Sequence, residues 1–249
     1  MRTRIRPVTL RIASICLLTL TLVGCATVPP SARSPRDPWQ RVNRGVYKFN
    51  DAVDTAVVAP VARTYVRVVP QPVRTGITNF FNNLTSPDTI LNALLQGQLK
   101  PFARDTGRFV VNSTIGIGGL FDPASNMGLT LDARDFGQTF GKWGIPSGPY
   151  VVLPLLGPSD VRDAIGRVPD EFADPRHYIR NPYWDYGLLL LYDVKARADL
   201  LPLTDMAKKT FDPYAFERNA YLQHRDFMVT GPQAQNGAEE ELKQLQEPP

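Results

Sequence analysis

Apolar residues recur at helical spacing along most of this chain, in short stretches separated by proline or glycine. The first stretch sets Trp39, Val42, Val46, Phe49, Val53 and Ala56/Val57 on one face, with Arg41, Arg44, Lys48 and Asp51 on the other. Asp37-Pro38 supplies a cap followed by proline at the first helical position, so the spacing predicts an amphipathic helix of about five turns ending at Pro60. A shorter piece carries Tyr65, Val66, Val68 and Val69 and stops at Pro70-Gln71-Pro72. Val73, Ile77, Phe80, Phe81 and Leu84 mark the next helix. Ser86-Pro87-Asp88 opens another, with Ile90, Leu91, Leu94 and Leu95, and Gly97 closes it. Residues 100 to 114 set Phe102, Phe109, Val110 and Val111 opposite Arg104 and Arg108. Two later helices are expected at about 183–201 and 212–228, the second capped by Asp212-Pro213.

Residues 115 to 160 break this rhythm. They hold Gly116, Gly118, Gly119, Gly128, Gly137, Gly141, Gly144, Gly148 and Gly157, half of the 18 glycines. Tyr150-Val151-Val152-Leu153-Pro154-Leu155-Leu156 between them reads as a strand pair or an irregular hairpin. Pro154 cannot donate to a central ladder, which favours the irregular, glycine-hinged form. Prolines number 23 in 249 residues, so long uninterrupted elements are not expected. The fold class is all-α: short amphipathic helices with a glycine-rich hairpin.

The N-terminus has its own pattern. Arg2, Arg4, Arg6 and Arg11 precede a 12-residue apolar run from Ile12 to Val23. That run suits a signal peptide and falls short of the ~20 residues that span a bilayer. Leu22-Val23-Gly24-Cys25 resembles a bacterial lipobox, which implies cleavage after residue 24 and acylation of Cys25. Two acyl chains anchor stably where one is marginal. Cys16 leaves with the leader, so no intramolecular disulfide is expected. Ala26, rather than Asp, follows Cys25 and favours export to the outer membrane. Residues 25–36 read as a proline-rich tether and 231–249 as a disordered tail. The net charge of +4 belongs to the leader's four arginines, and the remainder is balanced. This removes the global support for a nucleic-acid partner.

Catalytic parts are sparse. His177 and His224 are the two histidines and lack Cys or carboxylate company at zinc spacing. Ser147 lies in a turn sequence, not a nucleophile elbow. Gly116-Ile117-Gly118-Gly119 lacks a phosphate-loop lysine. Acid pairs at 132/135 and 160/163 read as caps or solvated faces before they read as a general acid and base. Neither an enzyme, a cofactor nor a metal is expected. The apolar faces carrying Phe49, Phe80, Phe81, Leu94, Leu95 and Phe109 suit either a core or a membrane interface, and periodicity does not separate the two.

Specific stretches resemble the MlaA (VacJ) family of outer-membrane lipoproteins. They run in order from Asp37-Pro38-Trp39, Val42-Asn43-Arg44 and Tyr47-Lys48-Phe49-Asn50 through Val69-Pro70-Gln71-Pro72-Val73-Arg74, Leu94-Leu95-Gln96-Gly97 and Asn112-Ser113-Thr114. Phe136-Gly137-Gln138-Thr139, Gly148-Pro149-Tyr150, Gly157-Pro158-Ser159, Arg197-Ala198 and Asp212-Pro213-Tyr214 continue the match, which covers about residues 37–230. The resemblance implies a helical ring lying in the periplasmic leaflet with a central polar channel. It implies removal of misplaced phospholipid from the outer leaflet, delivery to a soluble periplasmic lipid carrier (MlaC-like), and association with trimeric porins. On that reading Gly141, Gly144 and Gly148 give a 137–159 hairpin its freedom to gate lipid. Tyr150, Leu153 and Leu155 form an apolar lip, and Phe49, Phe80, Phe81, Leu94, Leu95 and Phe109 face acyl chains. A lipoprotein that braces porins or envelope without moving lipid is the alternative.

Overall fold

A computed structural model describes residues 34–231. The expected leader (1–24), Cys25 and nearly all of the tether and tail lie outside the described residues. The described chain is mainly helical: α1 (Gln40–Val53), α2 (Ala59–Val68), α3 (Gln71–Leu84), α4 (Ser86–Leu95), α5 (Leu99–Thr114), α6 (Pro123–Asn126), α7 (Phe136–Lys142), α8 (Val161–Ala173), α9 (Pro182–Ala207) and α10 (Pro213–Thr230). One antiparallel pair, β1 (Tyr150–Leu153) and β2 (Gly157–Asp160), interrupts them between α7 and α8.

The first helix does not end at Pro60. Its last turn widens into a π-helical segment, Asp54–Val58, and the chain continues as α2 with Pro60 in its first turn. Proline lacks an N–H and its ring crowds the carbonyl four residues back. A π turn shifts the hydrogen bonding at that point and lets the helix pass through. Pro202 is likewise inside α9, so the helix expected to finish near 201 runs on to Ala207.

The hairpin is a regular ladder, contrary to the irregular form expected. Tyr150 pairs with Asp160, Val151 with Ser159, Val152 with Pro158 and Leu153 with Gly157. Pro154 falls just beyond β1, in the turn, where it withholds nothing from the ladder. Sequence reasoning missed α7 and α8. The two glycines in α7 argue against a helix, and the cap reading of Asp135 does not say which helix it would open. Asp135 accepts from the Gln138 N–H, and Asp160 accepts from the Asp163 N–H to start α8.

Ser34, Pro35 and Arg36 belong to the fold rather than to a tether. The Arg36 carbonyl accepts from the Tyr150 N–H at 2.7 Å, and its guanidinium bonds Asp226 on α10. Asp37 does not cap α1. It is buried, accepting from Asn43, from the Tyr214 hydroxyl and from Arg218.

Candidate functional site: a polar interior, an apolar exterior and a clamped hairpin

Burial reverses the usual sense of the amphipathic pattern. On α1, Val42 is 56% exposed and Phe49 is also exposed, as is Trp39 just before the helix, while Gln40 and Asn43 are buried, Asn43 to 2%. On α4, Leu91, Leu94 and Leu95 face out while Thr89, Asn92 and Ala93 are enclosed. On α5, Leu99 and Val110 face out while Asp105, Arg108 and Asn112 form the inner stripe. Exposed large apolar patches mark an interaction or membrane surface. Buried polar groups must be satisfied internally, which explains the interior network.

That network is dense. Arg108 donates to Asp122, to Ser125 and to the Leu129 carbonyl, and Asn112 donates to Asp122. Burial pushes the Asp122 carboxyl up, but bonds from Ser125, Arg108 and Asn112 outweigh it and hold it at about 2. Thr139 on α7 donates to Asn92 at 2.6 Å and accepts from Gln96. Arg225 on α10 joins Asp135 to Asp163, and the Tyr221 hydroxyl donates to Asp163. The acid pairs of the sequence are therefore caps and ion-pair partners: Asp132 and Asp135 meet Arg134 and Arg225, while Asp160 caps α8. His177 lies 3.6 Å from Glu171, and among the described residues no cluster of His, Cys, Asp or Glu could hold a metal. No helix there is long and apolar enough to cross a membrane.

The hairpin is held by two asparagines of α1 that sequence reasoning did not assign to this task. Asn43 donates to the Tyr150 carbonyl at 3.0 Å and accepts from the Val152 N–H at 3.0 Å. Asn50, two turns on, donates to the Leu153 carbonyl at 2.9 Å and accepts from the Leu155 N–H at 2.8 Å. Their seven-residue spacing was visible, but nothing in it said what they face.

Several expected site residues are placed differently. Tyr150 is fully enclosed, packed with Tyr214 and Tyr221, and cannot form a lip. Leu155 and Leu156 are exposed at the turn, and Leu155 has a φ of 63°. Leu153 is half-buried behind them. Gly141 is no hinge. It is helical, in α7, where an added Cβ would meet Arg162 and Val229 at 2.8 Å. Gly144 and Gly148 do take left-handed angles, φ 90° and 70°, before β1. Phe81 is 1% exposed, edge-on to Phe80 and Tyr192, so it is core and not acyl-facing. Phe49, Leu94 and Leu95 are exposed, and Phe80 and Phe109 are half-buried.

Comparison with known proteins adds to this geometry. A family profile described as MlaA lipoprotein matches residues 35–228. The intermembrane phospholipid transport system lipoprotein MlaA of Escherichia coli (strain K12) is 35% identical over 226 residues, covering 89% of this chain and 90% of that one. The protein of the same name from Haemophilus influenzae is 32% identical over 232 residues, covering 88% and 90%. A solved chain from work on the "structural basis for maintenance of bacterial outer membrane lipid asymmetry" superposes with a TM-score of 0.69 at 33% identity, covering 79% of this chain and 100% of that one.

Proposed function

Because this chain belongs to the MlaA lipoprotein family, we propose that it lies in the periplasmic leaflet of the outer membrane, held by its outward apolar stripes and by acylation of Cys25. Its work is phospholipid transport in the service of outer-membrane lipid asymmetry. Phospholipids misplaced in the outer leaflet enter a polar passage through the helical ring and leave for a soluble periplasmic lipid carrier. A trimeric porin supplies the neighbouring wall. No bond is made or broken.

The reversed polarity of α1, α4 and α5 carries this reading. A charged headgroup moved into hydrocarbon without partners costs several kcal/mol at least. An interior rich in Asn, Gln, Thr and paired charges offers partners, while the outward Val, Leu and Phe side chains leave the tails in lipid. In this reading the Leu155-Leu156 turn gates the passage; its exposure, its bond to Asn50 and the left-handed Gly144 and Gly148 before it support that role.

The experiment is transfer of labelled phospholipid from membranes containing the acylated protein to a purified periplasmic carrier. Transfer above protein-free membranes is expected. Binding to porin with no transfer would replace this reading with a purely bracing role.

A further inference from the structure

The crevice where α2, α3 and α9 meet holds a cavity of about 210 Å³ that the hairpin and the interior network do not involve. Arg74, Thr75 and Thr78 line it from one stripe of α3, Lys195 and Asp199 from α9, and Tyr65 from α2. Lys195 is largely enclosed and bonds Asp199 at 3.0 Å, whereas Asp199 is half in solvent. Arg74 has no carboxylate within ion-pairing distance among the described residues. Its Nε is buried without a hydrogen-bond partner, and so is the Tyr65 hydroxyl.

A buried donor left unpaired costs more than an ordinary hydrogen bond returns. Two such unpaired donors on residues that line one cavity, beside a second cation, describe a site complementary to an oxyanion. We propose that this crevice is a phosphate subsite for a phosphodiester headgroup, an inference that rests on the phospholipid-transport reading. The Arg74 fork and Lys195 take the phosphate oxygens, the Tyr65 hydroxyl donates a further bond, and Thr75 and Thr78 supply hydroxyls at the rim. Asp199 holds Lys195 in place and restrains its charge while the site is empty, so removing that carboxylate strengthens anion binding.

The test uses the full acylated chain in non-ionic detergent, titrated calorimetrically with glycerophosphoethanolamine and separately with inorganic phosphate, alongside the lipid-transfer assay. Glycerophosphoethanolamine binds the wild type more tightly than inorganic phosphate. Arg74→Gln and Lys195→Gln each weaken it at least about tenfold, the loss expected for one charge-assisted bond. Asp199→Asn tightens it, and added salt weakens all of them. Arg74→Gln keeps the wild-type unfolding midpoint, since Arg74 has no carboxylate partner to lose, and Lys195→Gln, which gives up a half-exposed i,i+4 pair, lowers it only slightly. Variants that bind as the wild type does, or a wild type that binds neither ligand, overturn the subsite. Tighter binding of inorganic phosphate identifies a free-phosphate site and overturns the headgroup assignment. If lipid transfer persists undiminished in both glutamine variants, the subsite falls and the transport reading stands. If the wild type itself moves no lipid, the transport reading falls.

Discussion

Asn43 and Asn50 bond the hairpin backbone as a neighbouring strand would, each donating to one carbonyl and accepting from one amide. The two differ in burial, and so in what their loss does. Asn50→Ala should cost about 1–2 kcal/mol, speed hydrogen exchange at the Leu155 amide and alter the lipid-transfer rate without unfolding the protein. Unchanged exchange at Leu155 would remove the clamp from the account. Asn43→Ala leaves the Tyr150 carbonyl, the Val152 N–H and Asp37 short of partners in the interior, and should cost roughly 2–4 kcal/mol. Asp88 carries the pH dependence. Burial pushes its carboxyl up to about 8, with Asp170, Asp135 and Asp174 adding repulsion and a bond from Asn92 opposing. Burial likewise raises Asp170 to about 6. An unfolded Asp titrates near 4, so the fold binds these protons more tightly than the unfolded chain. Their contribution is complete below about 4 and is lost as pH rises through 6 and then 8. The lowered carboxyls, such as Asp122 at about 2, act only below that window. Thermal unfolding should therefore come earlier at pH 8 than at pH 5. Asp88→Asn should raise the midpoint by about 2–4 °C at pH 8 and leave it unmoved near pH 4.

At the scale of elements, the contact of α7 with α8 depends on absent side chains. A Cβ at Gly166 would meet the Gly137 backbone nitrogen at 2.6 Å, and one at Gly137 would meet Asp163 at 2.4 Å. Backbone cannot swing aside as a side-chain tip can, so Gly166→Ala should cost about 1–3 kcal/mol, read by denaturant unfolding. Gly144 makes a useful contrast. Nothing lies within 4 Å of its missing Cβ, and its φ is 90°. Gly144→Ala meets only local backbone strain, about 1–2 kcal/mol, and stiffens the approach to β1. It is a cleaner probe of the proposed gate than Gly141, where any side chain collides with packed neighbours.

For the whole molecule, the outward stripes are the property to challenge. In a Cys25→Ser background, which removes the acyl anchor, the wild-type surface should still float with phospholipid vesicles. Replacing Val42 and Leu94 by glutamate should release the protein, since a charge at acyl depth costs roughly 2–3 kcal/mol. The unfolding transition in detergent should be retained, because neither side chain is part of the core. Flotation equal to that of the parent would mean that these faces do not meet lipid.

Much of the outline follows from local physics. The α3, α4 and α5 helices, the cap at Asp212 and the helical class are written in apolar spacing and in the placement of proline, because these act over one or two turns. Pro60 does not end the helix as expected, because a proline ends a helix only when nothing downstream rewards continuing it, and α2 packs closely on α9. The resemblance of ordered motifs reached the family, and the motif residues Phe136-Gly137-Gln138-Thr139 held the α7–α8 contact without saying why. What spacing alone leaves undetermined is which side of an amphipathic helix goes inward. A 3.6-residue period has the same magnitude whether the core is oil or a polar network. Only tertiary structure, by setting Asn43, Asn92, Asp105 and Arg108 within reach of partners from distant segments, decided that polar stripes face the interior and apolar ones the surroundings.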